Sequence, residues 1–256
     1  MEDHASKFKG LIWVGVACAF GIFFAVGVRP FAHAIPWSWE KHLGEAVRLD
    51  LPGKGCRNDP EAEALLQRLV QRLYPVEPDD KKFPIEVHVA NSSIINAYAG
   101  LGGIITLNSG LLNKSESPEE IAGVLAHEIE HVHHRHIMEG ALVHLFTAEG
   151  IHLIFGDASS SAGFAKYLLN MDFTKGQERQ ADEEGLRRLQ AAHVNNQGFK
   201  SFFERMGKHE GSSVFLSDHP SNQERIEMVE KFKNENTQPI MTQEEWDVLK
   251  NYCGEK

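Results

Sequence analysis

Two histidines and a glutamate, arranged as H-E-x-x-H in His127, Glu128 and His131, are the residues of this chain best suited to chemistry. On an α-helix the two histidines lie on one face, one turn apart, where both imidazoles can bind one Zn²⁺. Glu128 then stands beside the metal and can take a proton from metal-bound water. The spacing predicts a zinc site for hydrolysis. Because the motif fixes only three positions in a chain with 14 histidines, a chance match is the alternative until a third ligand is found.

A helix start signal precedes this motif. Ser117, Pro118 and Glu120 supply an N-cap hydroxyl, a proline at the first helical position and a glutamate three residues after the cap. The motif therefore begins about two and a half turns into a helix. One apolar stripe runs along this helix through Ile121, Val124, Leu125, Ile129 and Val132. The stripe can pack into a core while the histidines, on the adjacent face, hold a metal.

The third ligand has to come from elsewhere in the chain. The metzincin extension is not met, because its glycine and last histidine positions hold His134 and Ile137. Downstream, Glu178 and Asp182 are four residues apart and would share one helix face. That arrangement suits one zinc ligand and one carboxylate that orients a ligating histidine. Spacing alone equally allows a solvated acidic helix, and Glu149 is a competing ligand on periodicity.

Several segments, in one order along roughly residues 84 to 230, are similar to those of a known family. They are Ala122–Val132 with Arg135-His136, the E-x-x-x-D of Glu178 and Asp182, Asn96–Ala99 followed by Gly102–Ile105, and Asp218-His219-Pro220 with Arg225. Together they resemble the gluzincin zinc metallopeptidases that include HtpX, the Ste-type CAAX prenyl proteases, the mitochondrial Oma peptidases and the BepA-like proteases. The resemblance is nearest to the periplasmic bacterial members.

This resemblance implies roles for individual residues. Glu178 becomes the third ligand beside His127 and His131, with one Zn²⁺ per chain. Asp182 and Arg225 would orient these ligands without binding the metal themselves. The implied fold is an α+β, mostly helical zincin-type domain with a small β-sheet beside the H-E-x-x-H helix.

The chain also departs from the family pattern. Where the family often has a Tyr-Ser-Arg-like triplet before the E-x-x-x-D helix, this chain has Phe173-Thr174-Lys175, so a role for that arginine does not carry over. His133 and His134 lie outside the pattern as well. His134 is about 10 Å further along the helix axis than His127, so we expect it on the surface rather than on the same metal.

His219 comes towards the metal through the H-P-x-x-x-x-R resemblance. As a neighbour of the ion it would donate a hydrogen bond to the tetrahedral oxyanion, which makes it a catalytic residue beside Glu128. As a fourth ligand it would instead close the site and switch the enzyme off. We favour the oxyanion role, because nothing in the sequence identifies a partner that would release a latch. The glycine and serines of 211–213 would let this loop move.

Local patterns predict the elements around the site. Residues 60–74 form a helix, and an amphipathic element spans Trp37 to Val47. Residues 84–90 alternate as a strand, and two further runs flank the glycine-rich turn 100–103 as a hairpin. An extended polypeptide could add to an edge of this sheet. Residues 137–170 suggest two helices joined by a mobile loop at 159–163, a candidate lid over the site.

The N-terminus predicts export. An uncharged apolar run from Leu11 to Val28 is nearly long enough to cross a bilayer, and a small-x-small sequence ends at Ala34. An uncleaved anchor and a cleaved signal peptide both remain open, with the anchor favoured by length. Cys56 and Cys253 could form a disulfide or stay as free thiols. The net charge of −10, without a basic stripe, argues against nucleic acid as a partner.

The sequence thus predicts a zinc metalloendopeptidase that cleaves exported or membrane-associated polypeptides, including misfolded envelope proteins. Its expected location is the bacterial cell envelope, where it is either anchored in the inner membrane and faces the periplasm or is secreted to the periplasm. The expected organisation is a signal segment (1–34), a linker (35–58), the peptidase domain (59–235) and a helical tail (236–256). Two other classes remain. One is a binding or chaperone-like module whose zinc is latched by His219, and the other is a zinc hydrolase that acts on a non-peptide amide.

Overall fold

A computed structural model describes residues 27–48, 56, 59–75, 83–145, 159–207, 222–232 and 235–253 of the 256-residue chain. Most of the predicted apolar run, together with Glu149 and His219, lies outside these residues. Among the helices that are described, none combines the length and the apolar character needed to cross a membrane.

The described residues form an α+β fold that is mostly helical. Before the sheet come helices α1 (Arg29–Ala34), α2 (Trp37–Arg48) and α3 (Pro60–Leu73), and the strands are β1 (Glu86–Ala90), β2 (Ala97–Ala99) and β3 (Ile104–Asn108). The later helices are α4 (Ser109–Lys114), α5 (Pro118–His133), α6 (His136–Leu145), α7 (Ser159–Leu169), α8 (Lys175–Ala191), α9 (Gln197–Gly207), α10 (Asn222–Lys231) and α11 (Gln243–Lys250). The predicted fold class is confirmed.

The small sheet has the strand order β1-β3-β2. β2 pairs antiparallel with β3, as the hairpin signal predicts, and β1 pairs parallel with β3, which the sequence pattern did not indicate. A 3₁₀ turn at Leu101–Gly103 joins β2 to β3, with Gly102 and Gly103 at φ 74° and 81°. A Cβ on Gly103 would lie 2.0 Å from the carbonyl oxygen of Pro84, so this turn needs glycine for both its backbone angle and its space. Among the described strands, β2 lies at an edge of the sheet.

Helix α5 is the centre of the domain. Its side chains from Glu120 to Val132 are all buried, polar ones included. Helices α8 and α9 pack along it, and both approaches depend on small residues, since a Cβ on Gly123 would meet Phe199 at 2.8 Å and Gly185 lies directly against the backbone of His127. Gly185 of α8 therefore lets the backbones of α8 and α5 approach closely.

Helix α2 belongs to this packed core although it falls in the segment predicted as a linker. It packs against the 3₁₀ turn, where a Cβ on Gly44 would lie 2.2 Å from the carbonyl oxygen of Leu101. Its buried Glu40 accepts a hydrogen bond from Nε of Arg135 at 2.9 Å. A buried carboxylate is tolerated because this arginine pairs with it.

Two local predictions were wrong in detail. Ser117 precedes α5 as predicted, but its side chain makes no capping hydrogen bond. Glu120 instead accepts hydrogen bonds from Arg205 at 2.7 Å and from Glu116 N at 3.0 Å, because α9 brings an arginine within its reach. The loop predicted at residues 159–163 is instead the start of helix α7. Serines are compatible with a first helical turn, and the space around Gly163 is open, so a helix can include it.

The two cysteines in the described residues are joined. Cys56 and Cys253 form a disulfide with their Cα atoms 4.9 Å apart. The backbone N–H of Cys56 also donates to Val89 O of β1 at 3.3 Å. The bridge therefore fixes the end of the chain that follows α11 to the sheet side of the domain.

Candidate active site

The two histidines of the H-E-x-x-H motif face each other inside the domain. His127 and His131 are both fully buried, and their Nε2 atoms lie 3.0 Å apart. Helix geometry brings them together, since residues four apart are stacked along one face. The remaining donor comes from a different helix.

Glu178 approaches the histidines from the first turn of α8. Its Oε1 lies 3.3 Å from Nε2 of His131 and its Oε2 lies 3.6 Å from Nε2 of His127. Thr174 fixes the start of this helix through a capping box with Gln177, so the register of Glu178 is set locally. Among the described residues, the carboxylate that the resemblance selected thus lies beside the motif, while Glu149 lies outside them.

The three side chains suit a zinc ion in number, type and spacing. One donor atom from each of His127, His131 and Glu178 lies within 4.8 Å of the others, and all three residues are buried. Ligand atoms placed about 2.0–2.1 Å from a tetrahedral zinc would be about 3.3 Å apart, close to the separations of the donor atoms here. Three protein ligands leave a fourth position, as catalytic zinc sites do.

The second nitrogen of His127 faces a carboxylate. Its Nδ1 lies 2.8 Å from Oδ1 of Asp182, one turn beyond Glu178 on α8. Burial lowers the pKa of His127, but the hydrogen bond to Asp182 and the charges of Asp182 and Glu178 outweigh it, so the pKa is raised. Such a carboxylate orients the ring and makes the other nitrogen a better ligand.

Arg225 joins the two carboxylates from α10. Its Nε donates to Oδ2 of Asp182 at 2.6 Å, and its Nη2 donates to Oε2 of Glu178 at 2.5 Å. The guanidinium is 1% exposed, so this pairing takes place away from water. The arginine balances part of the negative charge that two buried carboxylates bring to the site.

Glu128 lies between the histidines in sequence and contacts the sheet. Its Oε2 accepts a hydrogen bond from the backbone N–H of Ala99 at 2.9 Å, at the end of edge strand β2. The two other buried glutamates of α5, Glu120 and Glu130, are paired with arginines instead. Of the three, Glu128 is the one whose carboxylate contacts the edge strand of the sheet.

His131 is enclosed by two aromatic rings that sequence reasoning did not assign to the site. Phe173 stacks on it with a centroid distance of 3.8 Å, and His136 places its Nδ1 3.1 Å from Nδ1 of His131. Burial, with the neighbouring His131 and His134, lowers the pKa of His136 to about 2. The only sequence signals were the position of Phe173 in the altered triplet and the Arg135-His136 pair after the motif.

The other histidines near the helix end do not reach the donor cluster. His133 makes a hydrogen bond with the hydroxyl of Tyr74 at 3.1 Å. His134 is partly exposed and lies 3.2 Å from the amide nitrogen of Gln180. Within the described part of the chain, only His127, His131 and Glu178 form a group that could hold a metal ion.

Comparison with known proteins agrees with this geometry. The profile of Peptidase family M48 matches residues 60–233, about two thirds of the chain. The mitochondrial metalloendopeptidase OMA1 of Arabidopsis thaliana is 31% identical over 148 residues, covering 56% of this chain and 30% of the relative. The beta-barrel assembly-enhancing protease of Escherichia coli is 28% identical over 183 residues, covering 65% and 37%, and the metalloprotease LoiP of Escherichia coli is 31% identical over 156 residues, covering 57% and 62%. The chain thus spans about a third of the length of the first two relatives.

Proposed function

Since this chain belongs to peptidase family M48, we propose that it is a zinc metalloprotease that cleaves internal peptide bonds of exported or membrane-associated proteins. One observation carries the proposal: the buried donor atoms of His127, His131 and Glu178 converge within 4.8 Å. These three residues would hold one Zn²⁺. Nothing else in the described residues offers a comparable group.

In this proposal the protein residues move the protons. A bound zinc would polarise the substrate carbonyl and acidify a water. Glu128 accepts the proton of the attacking water and then delivers it to the leaving amine. The N–H of Ala99 donates to one oxygen of Glu128 and so holds the carboxylate in place, and we assign the proton transfer to the other oxygen. Asp182 keeps the proton of His127 on Nδ1, which leaves Nε2 as a ligand.

We propose that substrates add as a strand to the free edge of β2. This strand pairs with β3 on one side, and within the described residues it has no second strand as a neighbour. An extended polypeptide at that edge would pass Ala99, whose N–H contacts Glu128. Binding through backbone groups suits a protease of unfolded proteins, because it depends little on side-chain sequence. The name of the beta-barrel assembly-enhancing relatives supports envelope proteins as substrates and the bacterial envelope as location.

Casein hydrolysis, measured together with bound zinc, tests the proposal. An endopeptidase binds one zinc per chain and releases peptides from casein. A binding module with a structural zinc site binds zinc but does not cleave casein. A hydrolase of non-peptide amides leaves casein intact but keeps an exchangeable water on its zinc. Either of the last two results overturns the proposed activity.

We expect Asp182→Ala to lower zinc affinity or catalytic rate about 10- to 100-fold, as changes in residues behind metal ligands do. The substitution removes the acceptor that holds His127 and leaves Arg225 with less negative charge to pair with. Zinc affinity is measured by competition with a chelator. Glu183→Ala, at the next position and bonded to Arg187, is the matched control. If both variants keep wild-type affinity and rate, Asp182 does not support the site.

For His219 we propose the oxyanion role, and we expect His219→Ala to reduce casein hydrolysis about 10²- to 10³-fold. The residue lies outside the described part of the chain, so its resemblance to the family motif is the support. His42→Ala is the control, because that side chain is 82% exposed on α2. A rise in activity on removal of His219 would refute the oxyanion role and establish a latch.

A further inference from the structure

The second nitrogen of His131 has a neighbour unlike that of His127. His127 faces the carboxylate of Asp182, whereas Nδ1 of His131 lies 3.1 Å from Nδ1 of His136. Both imidazoles of this contact are buried, with 0% and 1% exposure. Two nitrogens at this distance make a hydrogen bond only if one carries a proton and the other presents its lone pair.

The direction of this hydrogen bond follows from the site. Nε2 of His131 points to the cluster formed with Nε2 of His127 and Oε1 of Glu178. A metal there requires a lone pair on Nε2, so the proton of a neutral His131 must be on Nδ1. Nδ1 is then the donor, and Nδ1 of His136 is the acceptor.

The backbone places His136 for this contact. Helix α5 ends at His133, and Arg135 then takes the left-handed conformation, with φ 57°, before α6 begins at His136. This break turns the chain so that the His136 ring points back at His131. A left-handed arginine carries strain, and the buried Glu40 together with the carbonyl oxygen of Ile35 holds it by hydrogen bonds of 2.5–2.9 Å.

We propose that His136 is a positioning residue for the metal site: it accepts the Nδ1–H of His131 and so fixes the tautomer and ring orientation that present Nε2 to the metal. The inference rests on the proposed role of His131 as a ligand. A neutral acceptor does the task here that a carboxylate does for His127. It does so without adding another buried negative charge beside Glu128, Glu178 and Asp182. Phe173, stacked on the face of the His131 ring, leaves the ring little room to turn.

Zinc affinity of two His136 variants tests this role. His136→Leu fills much of the space but cannot accept a hydrogen bond, and we expect its zinc affinity to fall about 10- to 100-fold. His136→Asn offers an oxygen near the position of Nδ1, so we expect it to recover most of the loss. His133→Leu, in the same histidine cluster but bonded to Tyr74, should bind zinc like the wild type. Thermal unfolding of the metal-free proteins shows whether each variant is folded.

Equal losses in the leucine and asparagine variants, with unchanged unfolding temperatures, would overturn the hydrogen-bonding role, as would a leucine variant with wild-type affinity. If the leucine variant does not fold, ¹⁵N NMR of the zinc-loaded wild type decides. A proton on Nδ1 of His131 and a lone pair on Nδ1 of His136 support the proposal, and a protonated Nδ1 on His136 refutes it. A wild type that binds no zinc would instead refute the proposed function, so the two failures are distinguishable.

Discussion

Glu128→Gln is expected to bind one zinc per chain while its casein hydrolysis falls about 10²- to 10⁴-fold, the range that a positioned general base contributes. The amide keeps the size of the carboxylate but cannot accept the proton of the attacking water. The hydrogen bond from Ala99 N–H to the side-chain oxygen can persist in the variant, so the fold around the site should stay intact. Bound zinc and hydrolysis rate, measured on the same sample, check this prediction.

A matched control is available on the same helix. Glu119 lies nine residues before Glu128, near the start of α5 and about 13 Å away along the axis. Glu119→Gln removes one carboxylate from α5 without touching the histidine pair, and its activity should match that of the wild type. Turnover by Glu128→Gln close to the wild-type rate would show that another group moves the proton.

Glu178→Ala is expected to lose most of its zinc, with an affinity reduced by more than the about 100-fold that a supporting residue can cost. The substitution deletes one of the three donor groups found in the described residues and leaves the two imidazoles of α5. It also removes one of the carboxylates paired with Arg225, so the positive charge of this buried arginine is less neutralised beside the metal site. Chelator competition measures the affinity, and casein hydrolysis should fall with the bound metal.

Glu184→Ala is the control for this change, since its side chain is 44% exposed on the same helix and pairs with Arg187. Glu149 supplies the contradicting case. If Glu149→Ala removes the metal while Glu178→Ala retains it, the carboxylate has been assigned wrongly. Both variants could also lose zinc because they do not fold. Circular dichroism of the metal-free proteins distinguishes this cause from the loss of a ligand.

The helix that carries the motif could be predicted from the sequence because its signals are local. A proline at the first position and a continuous apolar stripe suffice to predict that α5 begins at Pro118 and carries the motif. The hairpin followed from a glycine-rich turn between two apolar runs for the same reason. Glu178 is an intermediate case. Its spacing to Asp182 allowed a metal ligand and a solvated acidic helix equally, and only the resemblance selected it as a ligand.

Contacts between distant segments could not be predicted in this way. The alternation of residues in β1 and β3 does not show that these two strands pair in parallel. The pairing of Glu40 with Arg135 joins residues 95 positions apart, and a lone glutamate in an amphipathic helix is normally solvated. The contact of His136 with His131 could not be predicted, because it depends on a left-handed backbone conformation at an arginine, a residue that rarely adopts one.

Zinc titration of the metal-free wild-type protein, with casein hydrolysis followed at each addition, tests the central claim most directly. We expect the metal-free protein to be inactive, and its rate to rise with added zinc until one equivalent per chain is bound. That result requires a single site at which metal binding and peptide hydrolysis coincide. A protein that takes up one zinc and leaves casein intact would contradict the claim.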